Sequence, residues 1–171
     1  MVKEIESDIF LADTDVIIHQ ANCFCTMGSG IARFIREKFP EVYEADCMTE
    51  KGSLDKLGSY SCARVVSENP NPRLKYIVNL YSQFNFGRDE KHTNYEAMYQ
   101  GLVKLRDKIV NNPQSTVKTL AIPHRIGSNL GGADWNVVKA IIYSVFENCP
   151  LTVLICKNPA LQDELLNKAS R

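Results

Sequence analysis

The sequence predicts an α/β fold in three layers, with a largely parallel sheet between two layers of helices. Three observations point there: nearly continuous apolar, β-branched runs recur along the chain, helical periodicities separate them, and the runs end in polar or glycine-containing loops. A strand that is apolar along its whole length is covered on both faces, as in parallel sheets.

Strands are predicted at Val16–Ala21, Tyr60–Val66, Tyr76–Tyr81, Val117–Ile122 and Leu151–Cys156, with a short edge strand at Val2–Ile5. Ile31, Phe34, Ile35, Lys38 and Phe39 fall on one side of a first helix. Tyr95, Met98, Tyr99, Leu102, Leu105 and Ile109 mark a second, and Thr93-Asn94-Tyr95-Glu96 before it has the form of a capping box. A third helix is predicted from Trp135 to Phe146, and a short polar one after Pro159. Glu68-Asn69-Pro70-Asn71-Pro72 reads as a turn-rich loop inside one domain. The expectation is a single domain over residues 1–171, with a core of about 1–156 and a helical tail of about 158–171.

Lys+Arg and Asp+Glu both number 20 in the 171 residues, so no global charge favours a nucleic acid or an anionic membrane. No apolar run reaches the roughly 18–20 residues of a membrane span, and Met-Val-Lys-Glu-Ile-Glu-Ser-Asp contains no signal-peptide core, so a cytoplasmic protein is expected. Six cysteines, mostly within apolar runs, are expected to be reduced core residues. His19, Cys23 and Cys25 have zinc-binding chemistry but no C-x-x-C or second ligand pair, and no metal is expected.

The chemistry is expected where strands meet glycine loops. After Val16–Ala21, the loop Gly28-Ser29-Gly30 leads into the helix that begins at Ile31. A helix N-terminus entered through glycines offers unpaired N–H groups and a positive dipole end, which suits a phosphate. Arg33 stands where a dinucleotide fingerprint needs a third small residue, so that motif is excluded. His19 and Asn22 arrive at the same place; His19 reads either as a satisfied core histidine or as an acid or base near neutral pH.

The segment from Ile122 to Trp135 repeats this logic, with Gly127, Ser128, Asn129, Leu130, Gly131 and Gly132 between strand and helix. Two such loops at one end of a sheet could clasp a diphosphate. Asp134 reads as an N-cap, as a catalytic carboxylate, or as both. Asn79 to Gly87 brings aromatics and amides that could line a sugar or base pocket. Asp8, leaving the first strand beside Ile9, could accept from an exocyclic amine or simply be solvated.

Together, Ser7-Asp8-Ile9, Asn22 with Gly28-Ser29-Gly30-Ile31, and Gly127 to Gly132 resemble the macro domain, an ADP-ribose-binding α/β/α fold with a mixed, largely parallel sheet. The resemblance covers about residues 1–156. It implies that Asp8 contacts the adenine amino group and the Ile9 backbone an adenine ring nitrogen. It places Asn22 at the distal ribose, and Gly28, Ser29, Gly30 and Ile31 on the distal-ribose and phosphate side. Ser128, Asn129, Leu130 and Gly131 would wrap the diphosphate through their N–H groups.

His19 to Cys23 and Asp134-Trp135 look most like the branch of ADP-ribose 1″-phosphate phosphatases and terminal ADP-ribose protein hydrolases. Hydrolase members use a strand-end lysine as nucleophile; here Gln83 stands at that place, and an amide cannot form the covalent adduct. Phosphatase-like members pair a histidine at the position of His19 with an aspartate at that of Asp134. The resemblance therefore implies hydrolysis of the terminal phosphate of ADP-ribose 1″-phosphate. The alternatives are removal of ADP-ribose from a modified protein or nucleic acid, and a non-catalytic ADP-ribose reader. It implies no cofactor, and a monomer whose partners are ADP-ribose, ADP-ribose 1″-phosphate or ADP-ribosylated macromolecules.

Overall fold

The computed structural model describes residues 1–160. Its strands are β1 (Val2–Glu6), β2 (Val16–Ala21), β3 (Tyr60–Arg64), β4 (Tyr76–Tyr81), β5 (Thr119–Pro123) and β6 (Thr152–Lys157). Its helices are α1 (Gly30–Lys38), α2 (Pro40–Cys47), α3 (Tyr95–Val110) and α4 (Trp135–Phe146). The helical tail expected past Pro159 lies outside the described residues.

One sheet runs in the order β1-β6-β5-β2-β4-β3, and only the β3–β4 pairing is antiparallel. The expected three-layer fold with a mixed, largely parallel sheet is therefore what forms. Alternation along β2 sorts its side chains between two helical layers. Ile17 packs with Ile35, Phe39 and Val42 of the α1/α2 side, together with Ile77 of β4. Ile18 joins Val78 and Leu80 against Met98, Leu102 and Leu105 of α3 and Val138, Ile142 and Phe146 of α4. Each such side chain contributes about 1.5–3 kcal/mol on burial.

Three local expectations are corrected. Where the periodicity predicts one helix reaching Phe39, there are two: α1 stops at Lys38, and α2 starts at Pro40. The residue before a proline is pushed out of the helical region, and Phe39 accordingly has φ −132° and ψ 69°. Proline at the first position then starts the next helix. The capping box is displaced by one residue: Asn94 caps α3, its Oδ1 accepting from the Ala97 N–H at 2.9 Å, while the Thr93 hydroxyl donates to the Gly127 carbonyl at 2.8 Å. Strand β3 ends at Arg64 rather than Val66, because Arg64 already pairs with Tyr76, the first residue of β4.

All six cysteines are free; Cys23 and Cys156 are buried as expected, whereas Cys47 and Cys62 are exposed. No helix among the described residues is long and apolar enough to cross a membrane.

Candidate functional site

Parallel strands send their C-terminal ends to one edge of the sheet, where open α/β folds bind ligands. There the loops after β1, β2, β4 and β5 meet. In the first, Asp8 Oδ1 accepts from the Phe10 N–H at 2.9 Å and its carbonyl accepts from Leu11 and Ala12, a tight turn that leaves Oδ2 near Asn158 Nδ2 at 3.5 Å. Ile9 is buried, and its N–H meets no protein acceptor among the described residues.

The loop after β2 is organised by Asn22, whose Oδ1 accepts from the Phe24 N–H at 2.8 Å and whose Nδ2 donates to Thr26 Oγ1 at 2.6 Å. Cys25 and Met27 take left-handed backbone conformations, with φ of 56° and 39°. Arg36 donates to the Thr26 carbonyl at 3.2 Å and ties the loop down to α1. Gly28, Ser29 and Gly30 are exposed. Ser29 caps α1 without a side-chain hydrogen bond, and the first turn carries no acid. Among the described residues, the N–H groups of Gly30, Ile31 and Ala32 find no acceptor at the positive end of the helix.

The loop after β5 is folded on itself. Arg125, Gly127 and Gly132 have φ of 62°, 72° and 68°. Ser128 N–H donates to the Arg125 carbonyl at 2.9 Å and Ala133 N–H to the Gly127 carbonyl at 2.9 Å. Within the described residues, the N–H groups of Asn129, Leu130 and Gly131 find no acceptor, and the buried Ser128 Oγ has no partner. A run of N–H groups without acceptors, in a loop with alternating backbone handedness, can accept an anion. Gly131 has no room for a side chain: a Cβ there would stand 2.5 Å from the Gly127 carbonyl oxygen.

Asp134 is the exposed N-cap of α4. Its Oδ1 accepts from the Asn136 N–H at 2.8 Å, its own N–H donates to Tyr95 Oη at 2.9 Å, and Oδ2 has no partner among the described residues. His19 is sealed at 0% exposure on the α1/α2 face, with Nε2 2.6 Å from Asn79 Oδ1. Asn79 Nδ2 donates to the Val42 carbonyl and to Ser61 Oγ, so its oxygen faces the ring and Nε2 carries the proton. Nδ1 is buried without a partner. Burial pushes the His19 pKa below its ordinary value, against the opposing pull of the Asn79 bond and the Asp46 charge. No hydrogen bond joins His19 to Asp134.

Gln83 follows the end of β4, half-buried, and its backbone bridges to Thr93. It brings no nucleophile to that place. Among the described residues the one cluster with metal-ligating atoms within 4.8 Å of one another is Asp89, Glu90 and His92, on the loop after β4. Its two carboxylates belong to exposed residues, and His92 is already paired with Asp89 at 3.1 Å.

Sequence reasoning missed a polar network behind the β2 loop. Lys56, on the 3-10 turn Leu54–Lys56, donates to the Cys23 carbonyl at 3.3 Å and lies 3.4 Å from Cys25 Sγ. The same ammonium faces Asp46 of α2 and lies 4.4 Å from the centre of the Tyr81 ring. Burial pushes the Tyr81 phenol above its ordinary pKa, and its hydroxyl donates to Asp46 Oδ1 at 2.7 Å. Neither Asp46 nor Lys56 carries a local sequence signal, because each looks like an ordinary helix-surface charge.

No family model matches the chain. It is 34% identical over 145 residues to an uncharacterised 17.5 kDa protein of Enterobacteria phage T4, across 83% of this chain and 88% of that protein. It is 24% identical over 153 residues to the DNA ADP-ribosyl glycohydrolase of Mycobacterium tuberculosis, across 88% of this chain but 40% of the relative. An ADP-ribose 1″-phosphate phosphatase of Aspergillus oryzae is 35% identical over 74 residues, 41% of this chain and 33% of that protein. The macrodomain of Mycobacterium tuberculosis DarG superposes with a TM-score of 0.70 at 21% identity, over 93% of this chain and 98% of that one. Thermosipho africanus DarTG in complex with ADP-ribose also superposes at 0.70, with 19% identity, over 94% of this chain and 44% of that one. The chain therefore has the macrodomain fold, and it is related along most of its length to the uncharacterised phage T4 protein.

Proposed function

We propose that this macrodomain binds ADP-ribose along the C-terminal edge of its sheet and hydrolyses the bond between the distal ribose and a macromolecular acceptor. One observation carries the binding: the loops after the adjacent strands β2 and β5 both present N–H groups without acceptors among the described residues, at Gly30–Ala32 and at Asn129–Gly131. A diphosphate supplies the oxygens that both runs lack. Asp8 and the Ile9 N–H take the adenine, Asn22 the distal ribose, Gly28, Ser29, Gly30 and Ile31 one side of the phosphates, and Gly127, Ser128, Asn129, Leu130 and Gly131 the other. The buried Ser128 hydroxyl gains a phosphate oxygen as partner. The chain acts as one domain, with its core in residues 1–156, and as a monomer.

For the chemistry, Gln83 offers no nucleophile, so water attacks the anomeric carbon directly. Asp134 is the carboxylate of the β5 loop, and its free Oδ2 takes the water's proton as the acceptor leaves with the bonding pair. His19, sealed and neutral, sets the floor of the site through Asn79. Support for a glycosidic rather than a phosphate ester bond comes from the relatives: the glycohydrolase similarity runs along 88% of the chain, the phosphatase similarity along 41%.

Free ADP-ribose released from an ADP-ribosylated oligonucleotide or protein, and lost in Asp134→Asn, is the expected result. Binding of ADP-ribose without release from either substrate overturns hydrolysis and leaves a reader module. The second reading, cleavage of ADP-ribose 1″-phosphate, draws on the presence of both His19 and Asp134 and on the fungal phosphatase segment. Phosphate release in the same set of assays decides it.

A further inference from the structure

We propose that Gln20 is a positioning residue for the diphosphate loop, acting through Thr93; the proposal rests on the ADP-ribose reading above. On β2 the residues next to Gln20 serve the α1/α2 face, whereas Gln20 points with Ile18 towards α3 and the loops. Its amide Nε2 donates to Ser82 Oγ at 2.9 Å and to Thr93 Oγ1 at 3.0 Å. The Thr93 hydroxyl, having accepted there, spends its single proton on the Gly127 carbonyl at 2.8 Å. Hydrogen bonds thus run in one direction, from the central strand through Thr93 into the β5 loop.

The backbone of the β4 loop reinforces that direction. His92 and Thr93 N–H groups both donate to the Gly131 carbonyl at 3.0 Å, and Asn94 N–H donates to the Ser82 carbonyl at 2.8 Å. With the carbonyls of Gly127 and Gly131 turned inwards, the intervening peptides leave the N–H groups of Asn129, Leu130 and Gly131 without protein acceptors. A carbonyl rotated into that concavity would repel a phosphate; holding it back before the ligand arrives preorganises the site. The glycines fit the same device, since a Cβ on Gly131 would stand 2.8 Å from Gln20 Oε1, and one on Gly127 would stand 3.0 Å from Gln20 Nε2.

The direction of the chain makes the idea testable. In Gln20→Glu the carboxylate only accepts, so it draws the Thr93 proton away from Gly127. Thr93→Val removes the hydroxyl, and Thr93→Ser keeps it. The full chain and each variant are titrated with ADP-ribose by calorimetry, and backbone amide spectra are recorded without ligand. Gln20→Glu and Thr93→Val are expected to shift the amide signals of Asn129, Leu130 and Gly131 and to weaken ADP-ribose about tenfold. Thr93→Ser is expected to restore both. Unshifted loop signals, affinities within about twofold of wild type, or changes spread evenly over the sheet amides overturn the proposal. If the wild-type chain binds no ADP-ribose, the ADP-ribose reading fails on its own, and the ligand-free spectra still decide whether Gln20 sets the loop.

Discussion

Lys56 and Asp46 face each other at 3.7 Å, with side chains 7% and 1% exposed, against the loop that follows β2. Such a pair attracts strongly but has given up its hydration, so the informative perturbation is removal of one partner. Lys56→Met leaves the Asp46 charge buried and is expected to cost about 3–5 kcal/mol in urea unfolding. Adding Asp46→Asn to it is expected to recover part of that loss. A single variant within about 1 kcal/mol of wild type would mean the pair does not hold this loop.

Asp15 dictates acid behaviour. Burial raises its pKa, yet the Lys118 and Thr119 N–H groups and the Lys75 and Arg73 cations outweigh it and bring the carboxyl down to about 2. A depressed carboxylate stabilises the fold above its unfolded pKa, so its contribution is complete above about pH 4 and disappears as pH falls towards 2. Asp15→Asn is expected to lose about 2 kcal/mol at pH 7 and to flatten the stability profile between pH 4 and 2.

His19 works in a higher window and with the same sign. The unfolded chain takes up a proton near pH 6.5 that the buried imidazole resists, so stability is complete above that pH and declines below it. Denaturant midpoints between pH 7.5 and 5 are expected to fall for wild type and less steeply for His19→Leu. His124, also held low by burial, titrates in the same window, so the difference between the two proteins is the readout. The variant itself loses about 1–3 kcal/mol, because Asn79 Oδ1 keeps no donor.

Two glycines separate fold from ligand. Gly131→Ala forces a methyl against the Gly127 carbonyl and is expected to cost about 1–3 kcal/mol and abolish ADP-ribose binding. Gly28→Ala has open space, its nearest neighbour being the Thr26 carbonyl at 3.9 Å. It is expected to melt like wild type while binding ADP-ribose more weakly, and unchanged affinity would move the phosphates away from Gly28.

Asp134→Ala removes the α4 cap and is expected to cost about 1 kcal/mol, whereas Asp134→Asn still caps. Comparing the two by thermal melts and turnover separates the cap from the chemistry: equal loss of turnover at unequal stability assigns the carboxylate to the reaction.

Strands and glycine loops were legible because periodicity and turn chemistry are local. β2, β4 and α4 fall where apolar runs and Asp134 put them. What escaped was set by partners far along the chain. Thr93 gave up the cap because Gly127, 34 residues on, takes its proton. The inward turn of His19 follows from Asn79 directly across the β2–β4 register, which no window around residue 19 contains. Asp46 and Lys56 are surface-like charges until α2 and the 3-10 turn fold them against Tyr81.

The strand order carries a consequence for synthesis. Among the described residues β1 pairs with β6 alone, and β6 fits between β1 and β5. A nascent chain therefore holds Asp8 and Ile9 without a sheet neighbour until residues 152–157 have left the ribosome. Until then that segment is held only by packing, Phe10 lying against Phe34 and Phe39 and Ile9 in the cluster around Ile35. A chain stopped before β6 is expected to leave β1 unpaired, and to lose any preference for the base before it loses affinity for phosphate.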